Sequence, residues 1–278
     1  MIEDSTPRPL HARRHFGRLP GCGARSLVRS LWSEPALAAG RGSGWCCRCV
    51  ELGSAGGWDA AIAPYVLCEP EWKLWRSLSR AAARRRWMRG RVAAKDAVRL
   101  LLLDRHDVVA PLEAICVLPD ERGQPSVSFP ALPGMGAGIA VSISHCGDSS
   151  VALAAERTET HRGVGIDVAS QEDNHDGLAE GGFVPIEMAL LADCPAVEQT
   201  DWLLRMWCAK EAVAKALGVG LMGNPLKYVV RRVNRARSTV VVEAQVDRRL
   251  AAPLHVSAIM TTHVGCDRGT AFAVAWLE

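Results

Sequence analysis

The order of secondary-structure signals predicts an α/β (α+β) fold: a pseudo-dimer of two similar lobes, each a small, mainly antiparallel sheet with packed helices. Three observations predict it. Strand-like runs fall in groups on both sides of the midpoint, each group adjoins helical sequence, and turn residues separate the strands. With 278 residues, 49% of them hydrophobic and 23% charged, the chain can bury a sizeable core as one large domain or two small ones. Both lobes lie on one chain, so a monomer is expected.

Residues 1–57 are rich in Arg, Gly, Ser, Pro and Ala, with only short apolar runs, and read as a linker-like or poorly ordered segment. A first lobe is expected over 58–158 and a second over 159–278. Glu71 to Leu103 carries Ala, Arg and Leu at amphipathic spacing, which predicts two helices, the second with an arginine stripe. Ala114 to Leu118 and Ser126 to Phe129 form a strand pair around the loop Asp120-Glu121-Arg122-Gly123-Gln124-Pro125. Ile139 to Ser144 alternates apolar with small residues, the period of a half-buried strand, and His145 follows its end. Cys146-Gly147-Asp148-Ser149 then turns into Val151 to Ala155 as a hairpin.

Gly163 to Val168 predicts a further strand. Its two glycines lack the third glycine and helix of a dinucleotide fingerprint, so close packing explains them better. Asp201 to Leu217 is the clearest helix, with Thr200 and Asp201 as cap candidates and Gly218 as its stop. Tyr228 to Val233, Thr239 to Val246, Leu254 to Met260 and Ala271 to Leu277 complete the strands. No residue-level repeat stands out between the halves.

No apolar run reaches the roughly 18 to 20 residues of a membrane span, and Met1-Ile2-Glu3-Asp4 does not open like a signal peptide. A soluble, cytoplasmic protein without a membrane partner is expected. The ten cysteines are irregularly spaced, and Cys46, Cys47 and Cys49 have no second pair at ligand spacing, so reduced thiols fit better than disulfides or zinc. The net charge of +3 is small, but eight basic residues and one acid lie between Arg80 and Arg99, where an anionic partner would be drawn first. A nucleic-acid footprint is the weaker reading of that stripe, since only Trp87 offers a stacking surface within it.

Three segments hold residues suited to hard cations and phosphate: SISH at 142–145, GIDV at 165–168 and WCAKEAVAK at 207–215. Glu211 and Lys215 share a helix face with Trp207. By themselves they could be a solvated ion pair worth about a few tenths of a kcal/mol. Asp167 ends an apolar run, where an unpaired acid is costly, so it reaches solvent or meets a cation. Together Asp167 and Glu211 make a minimal Mg2+ site. His145 alone is commonplace, but beside Ser144 and a loop glycine it also suits phosphate.

The sequence GVGID, then 39 residues, then W-C-x-K-E-A-x-x-K resembles the signature of the Sfp-type 4'-phosphopantetheinyl transferases. The helix RRRWMRGRVAAKDAVR, the loop RGQP and VSISHCGD agree with that family in order. GRVAAKDAVR and WCAKEAVAKALG further resemble transferase domains fused to bacterial polyketide synthases, and the N-terminal segment would suit a former interdomain linker.

The resemblance implies an enzyme that moves phosphopantetheine from coenzyme A to a serine of an acyl carrier protein, or of a carrier domain in polyketide or fatty acid synthesis. It implies Mg2+ on Asp167 and Glu211, with Ser144 and His145 at the 3'-phosphate and Arg86 at the nucleotide end. Lys215 would neutralise the phosphate being transferred, and Lys210 would fix the helix or the substrate. Glu211 would take the serine proton, directly or through water, while Trp207 anchors the helix. Phe183 and Glu187 resemble the family's F-x-x-x-E, with no role assigned to the acid. The chain departs from the pattern twice. Ala169 replaces a second acid two residues after Asp167, and Gln124 replaces a lysine in the coenzyme-side loop, where Arg122 could compensate. A catalytically impaired homologue that only docks carrier proteins is the competing reading.

Overall fold

A computed structural model describes residues 45–277 apart from 53–56, 133–135, 137, 160–161, 174, 193, 222, 248–254 and 268. The first lobe comprises β1 (Trp45–Glu51), α1 (Trp58–Val66), α2 (Glu69–Ser77), α3 (Ala81–His106), β2 (Cys116–Pro119), β3 (Pro125–Ser128), β4 (Ile139–Cys146) and β5 (Ser149–Glu156). The second comprises β6 (Gly163–Ser170), α4 (Leu178–Gly182), α5 (Pro185–Ala189), α6 (Ala196–Ala216), β7 (Tyr228–Asn234), β8 (Thr239–Asp247), β9 (His255–Asp267) and β10 (Thr270–Leu277).

Each lobe has a five-stranded antiparallel sheet, ordered β1-β5-β4-β3-β2 and β6-β10-β9-β8-β7. Strand period two then sorts the side chains into layers. Ala152 and Ala154 of β5 face α3 through Ala94, Ala97, Val98 and Leu101. The alternate residues Val151, Leu153 and Ala155 instead meet Val164, Ile166 and Val168 of β6, with Phe272 and Val274 of β10. On the far side of the second sheet, Ala271, Ala273 and Ala275 pack against α6. The two long helices therefore lie outside two sheets whose inner residues share one apolar cluster.

The structure departs from the sequence expectations at several boundaries. Strand β1 lies within the segment read as linker-like, and its residues Trp45 to Glu51 pair with β5. The first lobe thus begins before Trp58; residues 1–44 lie outside the described residues. Helix α6 begins at Ala196 behind Pro195, so Thr200 and Asp201 are interior rather than caps, and Asp201 instead pairs with Arg205 at 2.6 Å. His145 belongs to β4 rather than following it. That strand is buried on both faces, because its small residues meet the other lobe instead of solvent.

One buried device occurs in both lobes. Glu71 stands at the third position of α2, accepts the Cys68 N–H, reaches the edge strand through the Val117 N–H, and pairs with Lys95 of α3. Glu187 stands at the third position of α5, accepts the Val184 N–H, reaches the other edge strand through the Val230 N–H, and pairs with Lys210 of α6. All four charged side chains are 0% exposed. Each lysine also donates to a carbonyl before the short helix, that of Val66 or Gly182. Each Glu–Lys pair thereby fixes a short helix, a long helix and a sheet edge in one register.

Candidate functional site

Helix α6 approaches β6 unusually closely, and the glycines of Gly163-Val164-Gly165 explain how. A side-chain carbon on Gly165 would collide with the Ala212 carbonyl oxygen, and one on Gly163 with that of Ala216. Without those carbons the helix backbone settles onto the strand, which is the close packing expected from the sequence. This contact brings Asp167 of β6 beside Lys215 of α6.

The Lys215 ammonium donates to Asp167 Oδ1 at 2.7 Å and to the Ile166 carbonyl at 3.1 Å. The Ser144 hydroxyl donates to the same Asp167 oxygen at 2.7 Å. One residue pair along, the Ile166 N–H donates to Ser142 Oγ at 3.0 Å. Two serines of β4 therefore bridge the lobes, and one of them touches the candidate metal acid.

Glu211, one turn before Lys215, is half-buried. Burial pushes its carboxyl above the usual range, the charge of Asp167 pushes it further, and Lys215 opposes both. Burial followed by the charge of Glu211 also pushes the Tyr228 phenol up to about 12. Its hydroxyl donates to the Gly220 carbonyl at 3.0 Å. Two partly desolvated carboxylates sharing one lysine suit a divalent cation, which prefers carboxylates together with phosphate oxygens and water. The donor set thus fits Mg2+ on Asp167 and Glu211. Ala169 contributes only to the packing against α6.

His145 sits on the first-lobe side of this cluster. Its Nδ1 lies 2.7 Å from Ser150 Oγ, and its ring rests against Gly90 of α3. Burial first, and then the charges of Arg86, Lys215, Arg91 and Arg89, depress its pKa to about 3. The ring is consequently neutral at ordinary pH and stands among cations. Arg86 is exposed on α3.

The loop between β2 and β3 approaches the second lobe. Asp120 Oδ1 accepts the Arg122 and Gln124 N–H groups, each at 2.9 Å, and the Gln124 side chain lies against Gly218 just past the end of α6. Gln124 therefore stands near the helix turn that carries Lys215, while Arg122 is exposed on the same loop.

Lys210 does not join this group. Its ammonium is enclosed by Glu187 and the Gly182 carbonyl and lies 4.4 Å from the Phe183 ring centroid. Of its two expected roles, fixing the helix matches these surroundings, and coenzyme contact does not. The arginine stripe is also not one solvated face. Arg89 and Arg91 are buried, with Arg89 donating to Asp148 and to the Leu52 and Gly147 carbonyls. Arg91 stacks on Trp87 at 4.2 Å.

Sequence reasoning missed the first-lobe ion pair. Its signal was present as Ala-Ala-Lys-Asp-Ala-Val at 93–98 and Cys-Ala-Lys-Glu-Ala-Val at 208–213, a short repeat centred on the two buried lysines. Asp96 thus occupies the repeat position of Glu211. Arg48 of β1 lies 3.4 Å from Asp96, and Arg99 lies 2.5 Å from it. Where the second lobe sets acid against acid, the first already supplies cations.

Parts of this chain resemble known proteins. A stretch of 48 residues, 17% of this chain, is 44% identical to the L-aminoadipate-semialdehyde dehydrogenase-phosphopantetheinyl transferase of Schizosaccharomyces pombe. That match spans 18% of the relative's length. Residues 163–260, which include Asp167, Glu211 and Lys215, match the family model of the 4'-phosphopantetheinyl transferase superfamily.

Proposed function

We propose that the chain is an Mg2+-dependent 4'-phosphopantetheinyl transferase that modifies a serine of an acyl carrier protein or carrier domain, using coenzyme A. The observation that carries this reading is the convergence of Asp167, Glu211 and Lys215 where α6 meets β6. The family-model match over the same residues supports it.

The carrier serine hydroxyl attacks the phosphorus that links pantetheine to the nucleotide, and 3',5'-adenosine bisphosphate leaves. Such a transfer depends on in-line positioning and charge neutralisation. Glu211, directly or through a water, accepts the serine proton. Lys215 opposes the charge that develops on the transferred phosphate. Arg86 and His145 hold the nucleotide end, with Ser144, which the 3'-phosphate would share with Asp167, beside them and Arg122 and Gln124 bordering it from the loop. Asp167 and Glu211 would hold Mg2+, which would supply charge neutralisation at the pyrophosphate. The carrier belongs to a polyketide or fatty acid system, in keeping with the resemblance to synthase-fused transferases.

The direct test is mass spectrometry of an apo carrier protein incubated with the chain, coenzyme A and Mg2+. Addition of one phosphopantetheine, lost when Mg2+ is chelated, is expected. A carrier that binds the chain but keeps its apo mass would instead make it a docking homologue. Our reading also expects a monomer acting in the cytoplasm, without nucleic acid.

A further inference from the structure

We propose that Gly90 is the positioning residue for His145, seating the imidazole where it faces the anion expected beside Arg86. This rests on the assignment of His145 to the coenzyme site.

Gly90 lies in the interior of α3, well inside its ends at Ala81 and His106. It is absent from the positions with positive φ, so the backbone does not require glycine there. Glycine is also a poor choice on propensity, since it loses more conformational freedom in a helix than alanine does. Space explains the residue. A side-chain carbon at position 90 would lie 2.7 Å from His145 Cε1, 3.3 Å from Nε2 and 3.3 Å from Ile143 Cγ2.

The ring has little room to retreat. His145 is paired with Ser150 in the β4–β5 ladder, and its Nδ1 is tied to the buried Ser150 hydroxyl. Moving the ring away from α3 disturbs that bond. Arg86 lies one turn before Gly90, on the same helix face, so the absent side chain leaves the ring and the guanidinium on one side of α3. The charged groups acting on the ring are Arg86, Lys215, Arg91 and Arg89. They come from both long helices, and the gap at Gly90 decides where the ring stands among them.

The test is a cycle of Gly90→Ala, His145→Ala and the double variant. It measures thermal stability and the binding of coenzyme A and of 3'-dephospho-coenzyme A, with imidazole NMR of His145. In the otherwise unaltered chain, Gly90→Ala should lower Tm, shift the His145 ring resonances and weaken coenzyme A binding about tenfold, the scale of one lost bond to a charged group. Its effect on the dephospho compound should be smaller. In the His145→Ala background the contact with the ring is gone, and only the 3.3 Å approach to Ile143 Cγ2 remains. There, Gly90→Ala should raise Tm as an ordinary helix substitution and change coenzyme A binding no further. The same loss of binding in both backgrounds, or unmoved ring resonances, would overturn the proposal. If the unaltered chain ignores coenzyme A while the resonances and the Tm sign reversal appear as expected, the positioning of His145 stands and the coenzyme assignment fails.

Discussion

Replacing Lys210 by methionine should destabilise the second lobe while leaving the chemistry of the remaining folded protein intact. The change keeps the approximate shape of the side chain and removes its charge, leaving Glu187 fully buried with the Val184 and Val230 N–H groups but no cation. Removing one partner of a buried ion pair costs about 3–5 kcal/mol, a large part of the stability of a typical domain. At about 2–4 °C per kcal/mol for a chain of this size, Tm should fall by roughly 6–20 °C. Thermal and urea melts of the variant and the unaltered chain measure the loss. Adding Glu187→Gln should recover part of it. A loss below about 1 kcal/mol, as for an exposed pair, would refute the reasoning. A variant of normal stability with an increased KM for coenzyme A would instead return Lys210 to the ligand site. Lys95→Met should cause a loss of similar size in the first lobe.

Lys215→Met should lower kcat about 10^2- to 10^3-fold, the range for one lost transition-state donor, with a smaller change in KM for coenzyme A; single-turnover kinetics check this. Asp167→Ala and Glu211→Ala should each remove the thermal stabilisation conferred by Mg2+, read as the Tm shift on titrating the ion. Because the folded Glu211 pKa is raised, proton competition should weaken Mg2+ binding at a higher pH than for an ordinary glutamate, which calorimetry across the acidic range can follow. Carrier capture should depend on charge. Arg85→Glu should raise the carrier KM most at low salt, whereas Arg86→Ala should mainly raise the KM for coenzyme A. Equal effects on both substrates would place docking elsewhere.

The proximity of the two acids and the lysine of the candidate site was legible because strand and helix periodicities identify their elements and carry Glu211 and Lys215 on one helix face. The close approach of α6 was also signalled, since the two glycines of β6 mark a strand that lacks side chains on one side. Burial of Lys95 and Lys210 was not legible from charge alone, because a lysine between alanines on a helix ordinarily faces water. It is buried here because a glutamate distant in sequence arrives with its backbone donors already arranged. Strand β1 was hidden by the Arg- and Gly-rich sequence before it, and its evidence is tertiary: each residue of Trp45–Glu51 has a partner on β5. The start of α6 was misplaced because Thr200 and Asp201 resemble a cap when read locally. Their helical neighbours begin after Pro195, and Asp201 pairs with Arg205 one turn on.

The paired serines of β4 have a mechanical consequence. His145 of β4 and Gln124 of the β2–β3 loop belong to the first lobe, whereas Asp167 of β6 and Glu211 and Lys215 of α6 belong to the second, so the proposed site is divided between the two lobes. Ser142 and Ser144 stitch those bodies together within one strand's length of the chemistry. In-line transfer tolerates little misalignment between its nucleophile and leaving group. Under the proposed function, the stiffness of this seam, set by two hydroxyl groups and a shared apolar cluster, becomes a kinetic quantity in its own right.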